Sequence, residues 1–169
     1  MAEYFIHDFD LATVCTALNV ATANVAASAV GYRGVGGVDF DKVTDAAITT
    51  AGVYVTLTRQ AIRRYSFIGD NDYVSLVMDP QDVTNIASVS LRLGADASNY
   101  LTWTWADSTF TADRWNVSTA RIGSGTPTLL GCNFGSIAYI AVYVTFDGST
   151  NTLADMHLGR VALVEAGSV

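Results

Sequence analysis

The sequence predicts an all-β antiparallel sandwich preceded by an extended N-terminal arm, and three observations carry that prediction. Short segments alternate apolar and polar residues with a period of two, which sends successive side chains to opposite faces of a strand. Gly, Pro, Asn and Asp separate these segments at spacings too short for crossover helices. Half of the 169 residues are hydrophobic and only 15% are charged. Val, Thr, Tyr, Phe and Ile are plentiful, a composition that suits half-buried pleated strands.

Segment 89–105 is the clearest element. Val89, Leu91 and Leu93 share a face opposite Ser90 and Arg92, and after the turn Leu101, Trp103 and Trp105 alternate with Tyr100, Thr102 and Thr104. Any antiparallel register whose paired numbers sum to an even value brings the two apolar faces together. Trp103 and Trp105 are therefore expected in the core with Val89, Leu91, Leu93 and Leu101, not on an exposed sugar-stacking platform.

Residues 1–37 are rich in Ala, Val, Thr and Asn and read as an arm, with the glycine-rich run 31–37 as its hinge. Segment 11–18 reads as extended because Thr13, Val14 and Thr16 are β-branched, although a short helix fits the same residues. A strip this apolar is expected to lie on its own sheet or on a neighbouring subunit, with Val20, Val25 and Val30 as contact residues. The sandwich is expected over 38–169. Its strands are read at 38–40, 51–58, 73–79, in the 89–105 hairpin, and at 115–120, 137–146 and 157–164. Between them lie a polar link at 60–65 carrying Arg63 and Arg64, turns at 69–72 and 147–148, and a Gly/Pro loop at 123–128.

The outward faces of these strands carry Tyr54, Tyr73, Tyr100, Tyr139 and Tyr143 among Thr and Ser. Such ladders stabilise strands by themselves. Tyrosine is also enriched where surfaces meet partners, so Tyr54, Tyr100, Tyr139 and Tyr143 are the candidate interface for an arm or a glycan.

The residue inventory argues against an enzyme. The glutamates are Glu3 and Glu165, both near a terminus, so paired-glutamate glycosidase chemistry is not expected. Asp70, Asp72, Asp79, Asp96, Asp113 and Asp147 fall at turns, where capping of local N–H groups explains them. His7 and His157 are the only imidazoles, and neither accompanies a nucleophile motif. Two Cys and two His without short ligand spacing exclude the usual zinc sites. Asp70-Asn71-Asp72 starts like a calcium loop, but Ser75 and Gln81 stand where glycine and an acidic residue are needed, so a plain turn is expected. The 31–37 run lacks the spacing of a phosphate loop. No catalytic residue, metal or cofactor is expected.

Nine Lys and Arg against sixteen Asp and Glu give a net charge of −7, which argues against nucleic acid as a partner. No run approaches the roughly 18 apolar residues of a membrane span, and the start lacks the pattern of a cleaved secretion signal. Cys15 and Cys132 could pair in an oxidising compartment, but compartment logic favours two buried free thiols.

Segment 86–100 (IASVSLRLGADASNY), the later Arg114-Trp115-Asn116, a Gly/Pro segment and a long apolar strand together resemble the jelly-roll domains of tailed-bacteriophage virion proteins. The resemblance covers about residues 38–165, and the glycine usual before Trp-Asn in that family is Arg114 here. It implies a jelly roll similar to carbohydrate-binding modules and a non-enzymatic virion component, assembled in the host cytoplasm. The first expectation is a capsid decoration (cement) protein that contacts the major capsid protein or other virion proteins. It would be a homo-oligomer, a trimer by analogy with threefold shell sites. The alternative is a glycan-binding module of a phage tail or fibre protein.

Overall fold

The computed structural model describes residues 3–7, 9, 15–28, 30–33, 36–57, 69–128 and 137–166. The link carrying Arg63 and Arg64, and Cys132, lie outside the described residues.

The strands are β1 (Glu3–His7), β2 (Thr16–Ala17), β3 (Thr22–Ala27), β4 (Val38–Lys42), β5 (Thr50–Thr56), β6 (Tyr73–Pro80), β7 (Ile86–Asp96), β8 (Asn99–Ala106), β9 (Asn116–Arg121), β10 (Thr126–Pro127), β11 (Tyr139–Phe146) and β12 (Leu153–Val164). They form two antiparallel sheets. The first runs β3-β4-β12-β6-β9 with β1 also paired to β12, and the second runs β10-β8-β7-β11-β5-β2. The period-two pattern explains the packing. Phe40, Leu76, Met78, Leu158, Val161 and Leu163 of the first sheet meet Val53, Val89, Leu91, Leu93, Val142 and Val144 of the second in one buried cluster.

The central hairpin has the expected parity, with Val89 opposite Trp105 and Leu91 opposite Trp103. Trp103 is 2% exposed and Trp105 8%. Their indole N–H groups donate to the carbonyls of Arg121 (2.9 Å) and Thr119 (3.1 Å). Those carbonyls belong to β9, the last strand of the first sheet, so two side chains of the second sheet satisfy an otherwise open edge.

The N-terminal segment differs from its expectation as an arm. β1 pairs with β12, β2 with β5 and β3 with β4, and Ile6, Phe9 and Ala21 are buried. Backbone pairing rather than burial of the Ala/Val side chains ties this segment in, since Ala26 and Ala27 of β3 are exposed and Ala23 is half-buried. Val25 packs against the core, whereas Val20 is 79% exposed and Val30 is exposed too. β3 and β4 pair antiparallel on either side of the 31–37 run, of which residues 34 and 35 lie outside the described residues. Ser28 N donates to the Gly37 carbonyl at 2.8 Å, and Gly37 lies so close to the Leu158 carbonyl that a Cβ would collide with it.

Bulges in β3 and β12 flank β4. Asn24 (φ 51°) and Asp155 (φ 54°) occupy the left-handed region there, which Asn and Asp tolerate best after glycine. The Asp41 carboxylate holds both bulges, accepting from Asn24 Nδ2 and from Asp155 N.

Candidate functional site

The alternation that buries Leu91, Val142 and Val53 turns their neighbours outward, and the registers fix which of these share a row. Tyr100, Gly94 and Tyr139 form one row across β8, β7 and β11; Thr102, Arg92, Ala141 and Tyr54 form the next; Thr104, Ser90, Tyr143 and Gly52 form the third. Three strands thus bring four tyrosines around Arg92, which lies on β7 inside the sheet.

Gly94 lets this cluster close. Tyr100 and Tyr139 are two strands apart, about 10 Å at the backbone, yet their ring centroids are 6.0 Å apart. Gly94 lies between them, and β8 approaches it so closely that a Cβ would run into the Asn99 carbonyl and the Tyr100 backbone. Tyr54, from the next row, extends the cluster, its ring 5.9 Å from that of Tyr139. The Arg92 guanidinium carbon sits 4.8 Å from the Tyr100 ring centroid and 4.4 Å from that of Tyr143, within cation–π range of both. Its Nη2 donates to the Tyr143 hydroxyl at 3.2 Å. Beside them the Ser90 and Thr104 hydroxyls share a hydrogen bond of 2.8 Å.

Tyr139 is the floor of the site at 5% exposure, and Tyr54, Tyr100 and Tyr143 are half-buried around it. Burial pushes the Tyr139 phenol above its ordinary range, more strongly than the Arg92 charge pulls it down. It therefore remains a neutral donor and acceptor at working pH. The face combines flat aromatic surfaces, hydroxyls and one guanidinium, a set that suits stacking on the apolar face of a sugar ring with directional bonds to its substituents. The hairpin carboxylate next to it, Asp96, accepts from Ser98 N at 2.8 Å and caps that turn.

All four tyrosines expected at an interface lie on this one face. Val20, Val25 and Val30 lie in the N-terminal segment, and Tyr73 is on the other sheet. Sequence reasoning placed Arg92 outward but gave it no role; the signal was its shared parity with Ser90 and Gly94, opposite Tyr100 and Thr102.

The outer face of the first sheet holds a second polar cluster. β4, β12 and β6 set Asp39, His157 and Asp79 side by side. Asp79 thus departs from the turn-capping expectation. His157 Nδ1 meets the Asp39 carboxylate and lies 3.1 Å from Ser28 Oγ. Trp115 and Tyr32 pack over this row, against Gly159, where a Cβ would lie 2.8 Å from the indole. The arrangement resembles no catalytic triad. Ser28 and Asp39 address the same ring nitrogen, Ser28 gives its proton to the Val30 carbonyl, and His157 is buried. Asp72 and Asp96 do cap turns, as Asp72 accepts from Gly69 N and Ala166 N. Segment 69–72 is a turn closed by Asp72 N donating to the Gly69 carbonyl. Among the described residues no three His, Cys, Asp or Glu side chains gather as metal ligands.

Burial raises the Asp79 carboxyl above the ordinary carboxylate range, against the pull of His157 and the Arg114 N–H, and Asp113 adds to the rise. The folded chain thus holds this proton more tightly than the unfolded one, so the ionisation costs stability as pH climbs past the ordinary carboxylate value. Asp79→Asn is expected to raise the unfolding midpoint at pH 7, with the gain fading as pH falls below about 4. Thermal melts at both pH values check this; an equal gain at both would contradict it.

No protein-family model matches the chain, and no curated protein sequence matches it. Solved structures share its fold. The family 11 carbohydrate-binding module from Clostridium thermocellum, in complex with a β-1,3-1,4-mixed-linked tetrasaccharide, superposes with a TM-score of 0.62 at 10% identity, over 97% of this chain and 96% of that one. The family 30 carbohydrate-binding module of a cellulosomal cellulase of the same organism gives 0.63 at 9% identity, over 99% and 100%. The agarase AgWH50C gives 0.60 at 11% identity, over 100% of this chain and 25% of that one. The chain is a jelly-roll β-sandwich of the kind carbohydrate-binding modules carry.

Proposed function

We propose that the chain is a non-catalytic glycan-binding module and that its site is the outer face of the second sheet. The observation that carries this reading is the convergence of Tyr54, Tyr100, Tyr139 and Tyr143 around Arg92 on one face. Its support from the comparisons is the fold shared with modules named for carbohydrate binding. A sugar ring stacks on Tyr54 and Tyr100 beside the Tyr139 floor, and the Thr102 and Thr104 hydroxyls meet its polar edge, with Thr104 held from below by the buried Ser90.

Affinity gel electrophoresis in mixed-linkage β-glucan, xylan, agarose and polygalacturonate tests the proposal. The wild type is expected to be retarded by at least one of them. Tyr54→Ala and Tyr100→Ala should each weaken that binding by about tenfold, or about 1.4 kcal/mol, with little change in unfolding midpoint because both rings are half-buried. Unretarded wild type in every gel, or variants that bind as wild type does, would contradict it.

The capsid-decoration role is the second reading, favoured by the 86–100 motif and by the outward Val20, 79% exposed. It places the chain in the virion as a trimer against the major capsid protein. The comparisons named above lend no support to that part. Sedimentation velocity separates the readings: a trimer dispersed by Val20→Asp favours the shell role, and a monomer removes it.

A further inference from the structure

We infer that the glycan taken by the tyrosine face carries an anionic group, a carboxylate or a sulfate, and that Arg92 selects it; this rests on the glycan-binding reading above. Arg92 stands inside the second sheet with its guanidinium between the Tyr100 and Tyr143 rings. Its hydrogen bonds go to neutral phenols, Tyr143 at 3.2 Å and Tyr139, and its Nε is buried with no acceptor. Among the described residues no carboxylate pairs with it. The first sheet shows the contrast, since Arg160 is paired there with Glu3.

That isolation is unusual in a chain with sixteen acidic residues against nine basic ones. Phenols and ring faces accept from a guanidinium, but they leave its formal charge in place. Arg92 is half-buried among the flanking rings, and the lower local dielectric there strengthens the attraction to an incoming anion. A guanidinium fork also fits the paired oxygens of a carboxylate or sulfate. A neutral sugar requires none of this, because the neighbouring hydroxyls serve its polar edge. The charge left open at the centre of the aromatic face is thus a selector for acidic glycans.

Matched polysaccharides that share a backbone test this. Polygalacturonate against its methyl ester forms the carboxylate arm, and carrageenan against its desulfated form the sulfate arm. Each is titrated calorimetrically into wild type, Arg92→Lys and Arg92→Met, with the neutral β-glucan in parallel. The charged member of one pair should bind at least about tenfold more tightly than its neutral partner. That preference should shrink at about 0.5 M NaCl, survive in part in Arg92→Lys and vanish in Arg92→Met. Equal binding within both pairs, or a preference that persists in Arg92→Met, overturns the anionic selection and leaves the glycan reading intact. Absence of binding to every polysaccharide overturns both. If Arg92→Met does not fold, the salt dependence and pairwise preference of the wild type decide the matter.

Discussion

Replacing Trp103 with alanine is expected to lower the unfolding free energy by about 3–5 kcal/mol, the range for deleting a large buried aromatic side chain. Trp103 is 2% exposed in the cluster between the sheets. Its indole also donates to the Arg121 carbonyl, so the truncation leaves a cavity and also frees a carbonyl at the β9 edge. Trp103→Phe separates these effects. It keeps a ring in the core but loses the hydrogen bond, which by itself is worth about 1 kcal/mol. Urea denaturation of both variants is the measurement, and a loss below about 1 kcal/mol for Trp103→Ala would place the ring outside the core.

The second large effect is expected at Lys42, the last residue of β4 and only 1% exposed. It continues the inward series of Val38 and Phe40, and its ammonium donates to the carbonyls of Val43 (2.7 Å) and Ser149 (2.9 Å). The Phe146 ring lies 5.9 Å from it. Lys42→Met keeps the apolar stem and removes the donor. Two opposing terms decide the result: hydrogen bonds from a charged donor are worth about 1.5–3 kcal/mol each, and removing the ammonium also relieves its desolvation cost. Because the Val43 carbonyl loses its donor and the Ser149 carbonyl keeps only the long bond from Asp45 N (3.4 Å), the first term wins and a net loss of about 2 kcal/mol is expected. A lower urea midpoint at unchanged slope would show this; an unchanged midpoint would show that water replaces the ammonium.

Local periodicity made the sandwich legible, because the parity that buries Leu91 and Trp103 is written within a few residues of each. It made the tyrosine face legible for the same reason, as Tyr139 and Tyr143 must face away from Ile140 and Val142. Features that depend on distant pairings were hidden. β1 finds its partner in β12 and β2 in β5, so an Ala/Val-rich stretch read alone looks like an arm. Asp39, His157 and Asp79 become neighbours only through two registers of β12, and the buried end of Lys42 depends on the 147–150 turn. The role proposed for Arg92 draws on the fact that, among the described residues, no carboxylate pairs with it, which no local pattern encodes. The 86–100 resemblance describes a hairpin, and a hairpin speaks to architecture more than to role.

The central claim, that the tyrosine face takes a glycan, is tested most directly by aromatic-region NMR of the wild type during titration with the polysaccharide fragments it retains best. Saturable shifts are expected for the ring resonances of Tyr54, Tyr100, Tyr139 and Tyr143, while those of Tyr32 and Trp115 on the opposite sheet stay in place. Shifts confined to Tyr32 and Trp115, or no saturable shift with any glycan, would contradict the account.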